Sequence, residues 1–575
     1  MNKIWHIKPK AREEFFEKFP EYGRIFSQLL YNRDLKEKEE VEYFLHAKYE
    51  DNFDPFIFRD MEAAVALAIK KIKERKKICI YGDYDADGVT ASVLLSEILT
   101  TIKADCFVYI PERAGEGYGV NQEAIDKILN KGANLMITVD GGIRNKKEIE
   151  YAKSKGLEII ITDHHEPPDD EKDLPPCLII NPHNHGEKYP FKFLSGVSVA
   201  FKFARALLER STLTAEQKKK ILEKVMDLVA IGTVADCVCL TGENRLFLKK
   251  GLEVLNAGKR IGLKELVKKA KLDGKNLEAW NIGFQIAPRL NASSRMGSAN
   301  NAFNLLSTKE KDVAEKEAEF LDERNQKRQK ETELMVAEVE EQLKKQLAEK
   351  IIIGVCPKES KNWNEGVVGL VAGRLTEKYH KPTLVLTRNE NDYKGSGRSI
   401  DEFNLFNAVE ECSDLLLKHG GHKMACGFSL ATSRLEEFSN KMRKIARREL
   451  EKASMEAKIE IDMEINLAEA TRLLAREVLG LAPFGYYNSQ PKFLSRNVLI
   501  KDIIFMGAES QHLKFRLGSA DNIGAGDFWG LSFNRATEWA DLKIGDIVDI
   551  VYQLEENEFN GKINLQLKIQ DIKLS

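Results

Sequence analysis

The chain has 575 residues, of which 43% are hydrophobic and 31% charged, and its formal net charge is −2. This length predicts three or four domains, each with enough apolar residues to bury a core. No stretch reaches the roughly 18 apolar residues of a membrane helix, and the N-terminal MNKIWHIKPK lacks the apolar core of a signal peptide, so we expect neither a membrane nor an exported protein. The charge excludes a globally basic nucleic-acid binder, but not a local basic groove.

The eight cysteines are scattered, and no two of them form a CxxC pair. We interpret them as reduced and mostly buried thiols of a cytoplasmic protein. Cys237 and Cys239 directly follow Asp236, but no second cysteine pair lies beside them. Core packing is therefore favoured over zinc binding for these two residues.

Residues 1–50 are charged, and we predict a helical N-terminal extension. Beyond them, strands alternate with helical patterns up to about residue 165, and mostly helical segments continue to residue 306. Such alternation is typical of β-α-β units with a parallel sheet. We therefore predict one α/β domain over residues 51–306.

Three apolar runs of this domain end in acidic or histidine residues. They are ICIYGDYDADG, LMITVDGG and LEIIITDHH, which end in Asp83, Asp85 and Asp87, in Asp140, and in Asp163, His164 and His165. Asp236 follows a fourth apolar stretch, VAIGTVAD, which we also interpret as a strand. Because parallel strands end at one edge of a sheet, where α/β proteins bind ligands, we expect these side chains to meet there.

Carboxylates at alternate positions of a glycine-bounded loop, with imidazoles nearby, are ligands for divalent metal ions. Two ions about 3.5–4 Å apart activate a water molecule and hold a phosphate for in-line displacement. Asp140 is suited to bridge such ions, because Gly141 and Gly142 allow a close approach of the backbone. DxDxD alone also occurs in solvated turns and calcium loops, so the prediction of a metal-dependent phosphate hydrolase depends on all four segments together.

The rest of the chain predicts three further parts. Residues 307–350 contain no Gly or Pro and are about half charged, which indicates one long solvated helix or a helix pair that connects two domains. A coiled-coil dimer is the alternative, although the heptad pattern is weak. Residues 351–452 predict a smaller α/β domain with glycine-rich loops, and the short alternating strands of residues 453–575 predict an OB-like β-barrel.

Several motifs resemble those of a known family. YGDYDADGVTAS, TVDGG, DHH and GTVADC resemble the DHH phosphoesterase superfamily, and the wider chain resembles the RecJ single-stranded-DNA-specific exonucleases. The resemblance continues through EGYGVN, APRLNASSRM and LDERNQKRQ to VVGLVAGRL, SGRS and GGHKMACGF, which is the DHHA1 pattern. It covers about residues 50–430 and implies a DHH parallel-sheet domain, a long helix, a smaller DHHA1 domain and a C-terminal OB-like barrel.

The resemblance implies a 5′→3′ exonuclease of single-stranded DNA that uses two Mn²⁺ or Mg²⁺ ions in DNA repair and recombination. The implied metal ligands and catalytic residues are Asp85, Asp87, Asp140, His164 and Asp236, with Asp83 as a further possible ligand. His165 would face the scissile phosphate, and Asp163 would orient a histidine. Single-stranded DNA is the implied partner, together with a single-strand-binding protein and a helicase.

Two segments are candidates for binding the DNA. Arg289, Asn291 and Arg295 follow the strand-like NIGFQIAP, and guanidinium groups bind phosphate in a bidentate manner, although ordinary surface arginines are the alternative. The small residues of KGSGRS predict a loop in which Ser396 and Arg398 wrap an anion. By the resemblance this loop holds the 5′ end, and His422 lines the same cleft.

Five aromatic residues of the predicted barrel either stack bases or form its core: Phe505, Phe515, Phe528, Trp529 and Phe533. Two segments depart from the family pattern. The Asp236 motif continues as ADCVCL, without the usual proline. In LAPFGYYNSQPKF, Tyr487 and Ser489 replace the Gly and Pro of PFGxGNPxP, which leaves the geometry of that turn open.

Two other functions are alternatives to a single-strand exonuclease. A DHH phosphodiesterase of short oligonucleotides or cyclic dinucleotides would match only the DHH and DHHA1 portion, so the barrel and the long helix argue against it. A non-catalytic scaffold that binds single strands would have lost metal ligands, and none is missing here.

Overall fold

The computed structural model describes residues 3–113, 115–117, 119–344, 348–357, 362–389, 391–519, 527–559 and 562–575. Parts of four predicted segments lie outside these residues: Tyr118 of EGYGVN, residues 345–347 of the predicted connecting helix, residues 358–361 and 390 of the predicted second α/β domain, and residues 520–526 and 560–561 of the predicted barrel.

The N-terminal segment is mostly helical but begins with a strand. Its elements are β1 (Ile4–Ile7), α1 (Glu13–Lys18), α2 (Arg24–Tyr31) and α3 (Lys38–His46). β1 pairs in parallel with residues 458–461, and Phe19, Leu29 and Leu30 are buried in the same core as the C-terminal domain. The segment therefore packs as part of that domain, which differs from the predicted extension.

The first α/β domain contains the predicted parallel sheet. Its elements are α4 (Met61–Lys73), β2 (Lys77–Gly82), α5 (Ala86–Thr101), β3 (Cys106–Tyr109), α6 (Gln122–Asn130), β4 (Ala133–Val139), α7 (Lys146–Ser154), β5 (Glu158–Thr162) and β6 (Leu178–Ile180). The strand order is β3-β2-β4-β5-β6, and every pair is parallel. Helices cover both faces, which explains the continuous apolar runs of these strands.

The remainder of this domain is helical. Its elements are α8 (Gly196–Glu209), α9 (Ala215–Lys224), α10 (Met226–Ala235), α11 (Gly242–Asn256), α12 (Ile261–Lys269), α13 (Ala279–Asn281), a π-helical turn (Ile282–Ile286), α14 (Ala287–Met296) and α15 (Asn300–Ser307). Two strand predictions are wrong, because VAIGTVA forms α10 and NIGFQI forms a helical turn. Both runs are short and apolar, and such a run does not distinguish a helix from a strand by its period.

One continuous helix, α16 (Lys311–Leu343), connects the two α/β domains. It is 33 residues long, which corresponds to about 50 Å at 1.5 Å per residue. It contributes buried residues to the first domain near its start and to the second near its end: Ala314, Ala318 and Leu321, then Met335, Val339 and Leu343. The helix is therefore solvated on one side only and fixes the separation of the two domains.

The second α/β domain consists of β7 (Ile352–Val355), α17 (Glu365–Tyr379), β8 (Thr383–Arg388), β9 (Asp392–Arg398), α18 (Leu405–Glu410), β10 (Lys418–His422), β11 (Ala425–Ala431) and α19 (Leu435–Glu449). Its strand order is β10-β11-β9-β8-β7, and only the β7–β8 pair is parallel. Ser396 and Arg398 therefore lie at the end of a central strand, and the predicted loop at these residues is wrong.

The C-terminal domain contains β12 (Lys458–Ile461), β13 (Met463–Glu464), α20 (Arg472–Leu479), β14 (Phe493–Met506), β15 (His512–Ser519), β16 (Phe528–Ser532), β17 (Ile547–Phe559) and β18 (Lys562–Leu574). The order β14-β15-β16-β18-β17 closes through a β14–β17 pairing, so these strands form a five-stranded barrel. The predicted fold class, including the OB-like barrel, is confirmed.

The five aromatic residues of the barrel divide into two groups. Phe515 is buried in the barrel core and Phe528 packs against that core, whereas Phe505, Trp529 and Phe533 are exposed. Only the exposed three are placed to meet a base. Among the described helices, none combines the length and the apolar character that a membrane span requires.

Candidate metal and nucleic-acid site

The carboxylates and histidines converge at the carboxyl edge of the first sheet. Asp83, Asp140 and His164 follow the adjacent strands β2, β4 and β5. Asp85 begins α5, and Asp236 ends α10. Three groups of ligand atoms each lie within 4.8 Å of one another: Asp83, Asp85 and Asp140; Asp87, His164 and Asp236; and Asp140, His164 and His165. The predicted convergence is present, although Asp236 arrives from a helix.

Helix starts hold two of the carboxylates. Asp85 Oδ1 accepts hydrogen bonds from the backbone N–H of Asp87 at 2.9 Å and of Gly88 at 3.1 Å, so it caps α5. The carboxylate of Asp87 accepts from the N–H of Gly196 at 2.7 Å and of Val197 at 2.9 Å, at the start of α8. Both side chains are thus fixed where the helix dipole favours negative charge.

Two glycines that the sequence analysis missed make room for these carboxylates. A Cβ atom at Gly196 would lie 2.4 Å from Asp140 Oδ1, and one at Gly232 would lie 2.4 Å from Asp87 Oδ1. Any side chain at either position would displace a carboxylate. Gly232 lies in the interior of α10, where glycine is disfavoured. A glycine within this apolar run was the feature of the sequence that could have indicated close packing at this position.

Asp163 holds the two histidines in place. Its Oδ1 accepts from the backbone N–H of His164 and His165 and contacts His165 Nδ1 at 2.7 Å, while Oδ2 accepts from the N–H of Ile143 at 3.0 Å. Burial opposes the charge of Asp163, but the hydrogen bond and charge of His165 keep the pKa of Asp163 below its ordinary value. Burial likewise opposes the charge of His165, but its pairing with Asp163 raises the pKa of His165 to about 9.

Two buried atoms of the cluster have no hydrogen-bond partner, namely Asp140 Oδ1 and His164 Nε2. They lie 3.2 Å apart without hydrogen-bond geometry, and His164 Nε2 lies 3.4 Å from Asp236 Oδ2. Burial, and then repulsion from neighbouring carboxylates, raises the pKa of Asp140 well above its ordinary value. Unsatisfied buried atoms and crowded carboxylates are costly in a protein, so this set of oxygen and imidazole donors fits divalent cations.

The metal-free protein is expected to lose stability as the pH rises from about 4 to 8. Burial and then neighbouring carboxylates raise the pKa of Asp83 to about 8 and of Asp87 and Asp236 to about 7, against an ordinary 3.8. In this window the folded state binds more protons than the unfolded chain, so the free energy of unfolding falls with pH. The stability that protonation of these carboxyl groups gives the folded state is fully present below about pH 4 and is lost above about pH 8.

Metal binding should reverse this loss, because a cation replaces the protons. At about 100 times its Kd, an ion adds about 2.7 kcal/mol. Thermal unfolding in EDTA and in Mn²⁺, at pH 5 and pH 8, measures the effect. We expect the larger Mn²⁺-induced rise in Tm at pH 8, and an equal rise at both pH values would contradict the assignment.

A cluster of arginines borders the carboxylates between the two α/β domains. Arg295 of α14 donates to the carbonyl of Gly366 in α17 at 2.8 Å. Burial, and then the charges of Arg113, Arg328 and Arg398, lower the pKa of Arg295 to about 10, while the charge of Asp85 opposes this shift. Arg295 therefore lies within electrostatic range of Arg113, Arg328, Arg398 and Asp85.

Among the described residues, the contacts of Arg113, Arg295 and Arg398 are with an aromatic ring or with backbone and hydroxyl oxygens, and none is an ion pair with a carboxylate. Arg398 donates to the carbonyl of Gly397 at 2.8 Å and contacts Ser396 Oγ at 3.4 Å. Like charges that are buried together without a counter-ion form a site for an anion such as phosphate. Arg113 and Arg328 are not among the residues predicted from the sequence, although Arg113 lies beside the EGYGVN motif and Arg328 lies within LDERNQKRQ.

Three predicted DNA-binding residues have other surroundings. Arg289 forms an ion pair with Asp322 of α16 at 2.8 Å, which occupies its guanidinium and joins α14 to α16. Asn291 Oδ1 accepts from the N–H of Ala86 at 2.7 Å and so supports the start of α5. His422 is exposed at the end of β10, in a hairpin with β11. The structure thus favours a supporting role for Arg289 and Asn291.

Comparisons with known proteins agree with this arrangement. Residues 77–233 match the DHH family N-terminal domain, residues 344–448 the DHHA1 domain, and residues 461–571 the RecJ OB domain. The single-stranded-DNA-specific exonuclease RecJ of Bacillus subtilis is 36% identical over 553 residues, which is 96% of this chain and 68% of that protein. The RecJ of Escherichia coli is 32% identical over 528 residues, 89% of this chain and 90% of that protein.

Solved structures give the same result for the fold. The crystal structure of RecJ in complex with Mn²⁺ from Thermus thermophilus has a TM-score of 0.83 at 27% identity and covers 100% of this chain and 80% of that chain. The corresponding Mg²⁺ complex has a TM-score of 0.75 at 25% identity and covers 100% and 78%.

Proposed function

This chain belongs to the RecJ family of single-stranded-DNA-specific exonucleases, and from that premise we propose that it hydrolyses single-stranded DNA from the 5′ end with two Mn²⁺ or Mg²⁺ ions. One observation carries the proposal. The buried atoms Asp140 Oδ1 and His164 Nε2, which have no hydrogen-bond partner, lie in a carboxylate cluster beside arginines that form no ion pair within the described part of the chain. Such a site binds metal ions on one side and phosphate on the other.

The residues proposed to hold the ions come from separate segments of the first domain: Asp83, Asp85, Asp87, Asp140, His164 and Asp236. Bound there, two divalent ions supply a nucleophile at neutral pH and neutralise phosphate charge. The hydrogen bonds to Asp85 and Asp87 at helix starts keep these carboxylates in place before metal arrives. Preorganised ligands of this kind lose little freedom on binding.

His165 is proposed to bind the scissile phosphate. Its pairing with Asp163 raises the pKa of His165 to about 9, which favours a positively charged ring. Asp163 also holds Nδ1, which sets the orientation of the ring and directs Nε2 as the donor to a phosphate oxygen. A charged donor strengthens as negative charge develops on the phosphate during displacement.

The arginine cluster is proposed to hold the terminal 5′-phosphate. Arg113 and Arg295 come from the first domain and Arg398 from the second, so the anion would bind where the domains meet. A terminal phosphate bound beside the carboxylates would bring the first phosphodiester bond to the proposed metal ligands. This arrangement supports removal of nucleotides from the 5′ end.

The two alternatives are less well supported. The match of residues 461–571 to the RecJ OB domain argues against a phosphodiesterase of short or cyclic substrates. The complete ligand set argues against a scaffold without activity.

Long single strands that carry a label at either end test the proposed function. With Mn²⁺, we expect a 5′ label to appear at once in mononucleotides and a 3′ label to remain on progressively shorter strands, and chelation should stop both. A blunt duplex of the same sequence should be digested more than about tenfold more slowly, because a site between two domains fixed by α16 excludes a second strand. Equal digestion of duplex and single strand would contradict this selectivity.

The same proposal retains a helicase and a single-strand-binding protein as expected partners, in DNA repair and recombination. An enzyme that excludes duplex needs a strand that another protein has unwound and kept single. No disulfide joins any of the eight cysteines, and Cys237 is exposed, which supports a reducing compartment such as the cytoplasm.

A further inference from the structure

We propose that Tyr486 and Tyr487, on the turn that precedes the barrel, form a stacking platform for bases of the single strand beside the loop that follows Asp236. The proposal rests on the proposed function and adds a contact to bases, which neither the metal ligands nor the arginines provide. Aromatic faces stack on any base, so this contact would add affinity without sequence preference.

The turn is packed directly against the metal-ligand loop. The carbonyl of Tyr486 accepts a hydrogen bond from the N–H of Leu240 at 2.9 Å. A Cβ atom at Gly485 would lie 2.4 Å from Leu240 Cδ1, so glycine allows this close approach without a shift of the leucine side chain. Leu240 ends the short loop that begins after Asp236. The tyrosine turn is therefore bonded to the loop that follows a proposed metal ligand.

The turn is also fixed from the other side. Asn488 Nδ2 donates to the carbonyls of Leu481 at 2.8 Å and Pro483 at 2.9 Å. Arg33 Nε donates to Asn488 Oδ1 at 2.8 Å. Because the backbone is already held, the two rings would bind bases with little further ordering.

Neither ring contributes to a core. Tyr486 is 59% exposed and Tyr487 is 72% exposed, and the ring centroids lie 4.9 Å apart at 80°. Tyr487 has φ of 60°, in the left-handed region that favours glycine. An exposed aromatic side chain in a strained backbone costs folding free energy without adding buried contacts. Such outliers occur at functional sites, where a ligand offsets the cost.

The groups that act on Tyr486 come from both α/β domains. Partial burial, and then Tyr487, Cys239 and Asp401, raise the pKa of Tyr486. Cys239 belongs to the loop after Asp236, and Asp401 belongs to the second domain. Arg295 interacts with the charge of Asp85, whereas the tyrosine turn bonds to Leu240 in the loop after Asp236. We expect a strand with its 5′ end on the arginines to cross the carboxylates and to reach the tyrosines on the far side.

Substitutions that remove or keep the rings test the platform. Tyr487→Gly removes one ring and relieves the backbone, so the variant should have an unchanged or higher Tm. One lost stack is worth about 1 kcal/mol or more, which corresponds to an increase in KM of about fivefold or more on long strands. Tyr486→Leu combined with Tyr487→Gly should raise KM further. Tyr486→Phe and Tyr487→Phe keep the rings and should stay within about twofold of wild type.

An abasic scan then shows whether the rings contact a base. In the wild-type enzyme, one abasic position near the 5′ end should raise KM about as much as loss of the rings. On that abasic substrate, the KM of the double variant should be only slightly higher than the KM of the wild-type enzyme, because the base that would stack on the rings is already absent. Leu473→Ala, at an apolar side chain that is 69% exposed on α20, is the matched control and should behave as wild type.

Two results would overturn the platform. One is an unchanged KM in the double variant, and the other is a loss of the same size at every abasic position. If the wild-type enzyme digests no single strand at all, the proposed function fails instead, so the two failures are distinguishable.

Discussion

Asp140→Asn is expected to lower kcat on single-stranded DNA by about a thousandfold or more, with DNA affinity within about threefold of wild type. Asp140 is the only carboxylate among the described residues that belongs to two of the ligand groups, and its Oδ1 is buried without a hydrogen-bond partner. Loss of a shared anionic ligand removes several kcal/mol of charge stabilisation from the reaction. The arginines and the barrel supply the DNA contacts, so binding should persist.

Asparagine is the informative substitution at this position. Asp140 has φ of 61°, which asparagine tolerates and alanine does not. Asparagine also preserves the shape that fits against Gly196. The Mn²⁺-induced rise in Tm should shrink in parallel with kcat, whereas Asp312→Asn, at an exposed carboxylate of α16, should leave both unchanged. Activity of Asp140→Asn within about tenfold of wild type would show that the site is assigned wrongly.

Arg398→Ala is expected to lower kcat/KM by about ten- to hundredfold on strands with a 5′-phosphate and much less on strands with a 5′-hydroxyl. Its guanidinium contacts only Gly397 O and Ser396 Oγ among the bonds described, and burial lowers its pKa. A charge-assisted hydrogen bond to phosphate contributes about 1.5–3 kcal/mol. Removal of the phosphate from the substrate should therefore weaken the wild-type enzyme by a similar factor.

The measurement is a double-mutant-type cycle. The kcat/KM values of the wild-type enzyme and of Arg398→Ala are each determined on strands with a 5′-phosphate and on strands with a 5′-hydroxyl. Arg289→Ala is the matched control, because its guanidinium is paired with Asp322 and any loss should be the same on both ends. If Arg398→Ala also loses equally on both ends, Arg398 is a general or structural contact, and the 5′-phosphate binds elsewhere.

Part of the fold and site was predictable from local patterns. The apolar runs before Asp83, Asp140 and Asp163 are strands of a parallel sheet, because such strands are buried on both faces and carry few polar residues until they end. Their ends share an edge, so the meeting of carboxylates and histidines followed from the sequence. The long uninterrupted helix and the short alternating strands of the barrel were also evident from periodicity.

Other features were decided by burial rather than by pattern. The segment before Asp236 is a helix. The sequence did not reveal this, because an apolar run that is buried on all sides has no hydrophobic period that distinguishes a helix from a strand. The N-terminal helices looked like an extension, and only packing shows that they complete the C-terminal core. The exposed and buried aromatics of the barrel could not be separated either, because alternation alone does not say which face is inside.

The sequence by itself therefore determined the candidate metal ligands, the order of the domains and the chemistry that they support. Tertiary structure alone decided which residues meet across the chain. Asn291 holds Ala86 across 205 residues, Arg295 and Arg398 approach each other from different domains, and Tyr486 bonds to Leu240 of the loop after Asp236. The physical reason is that local sequence fixes backbone period and charge, whereas contacts between distant segments depend on the free energy of packing the whole chain.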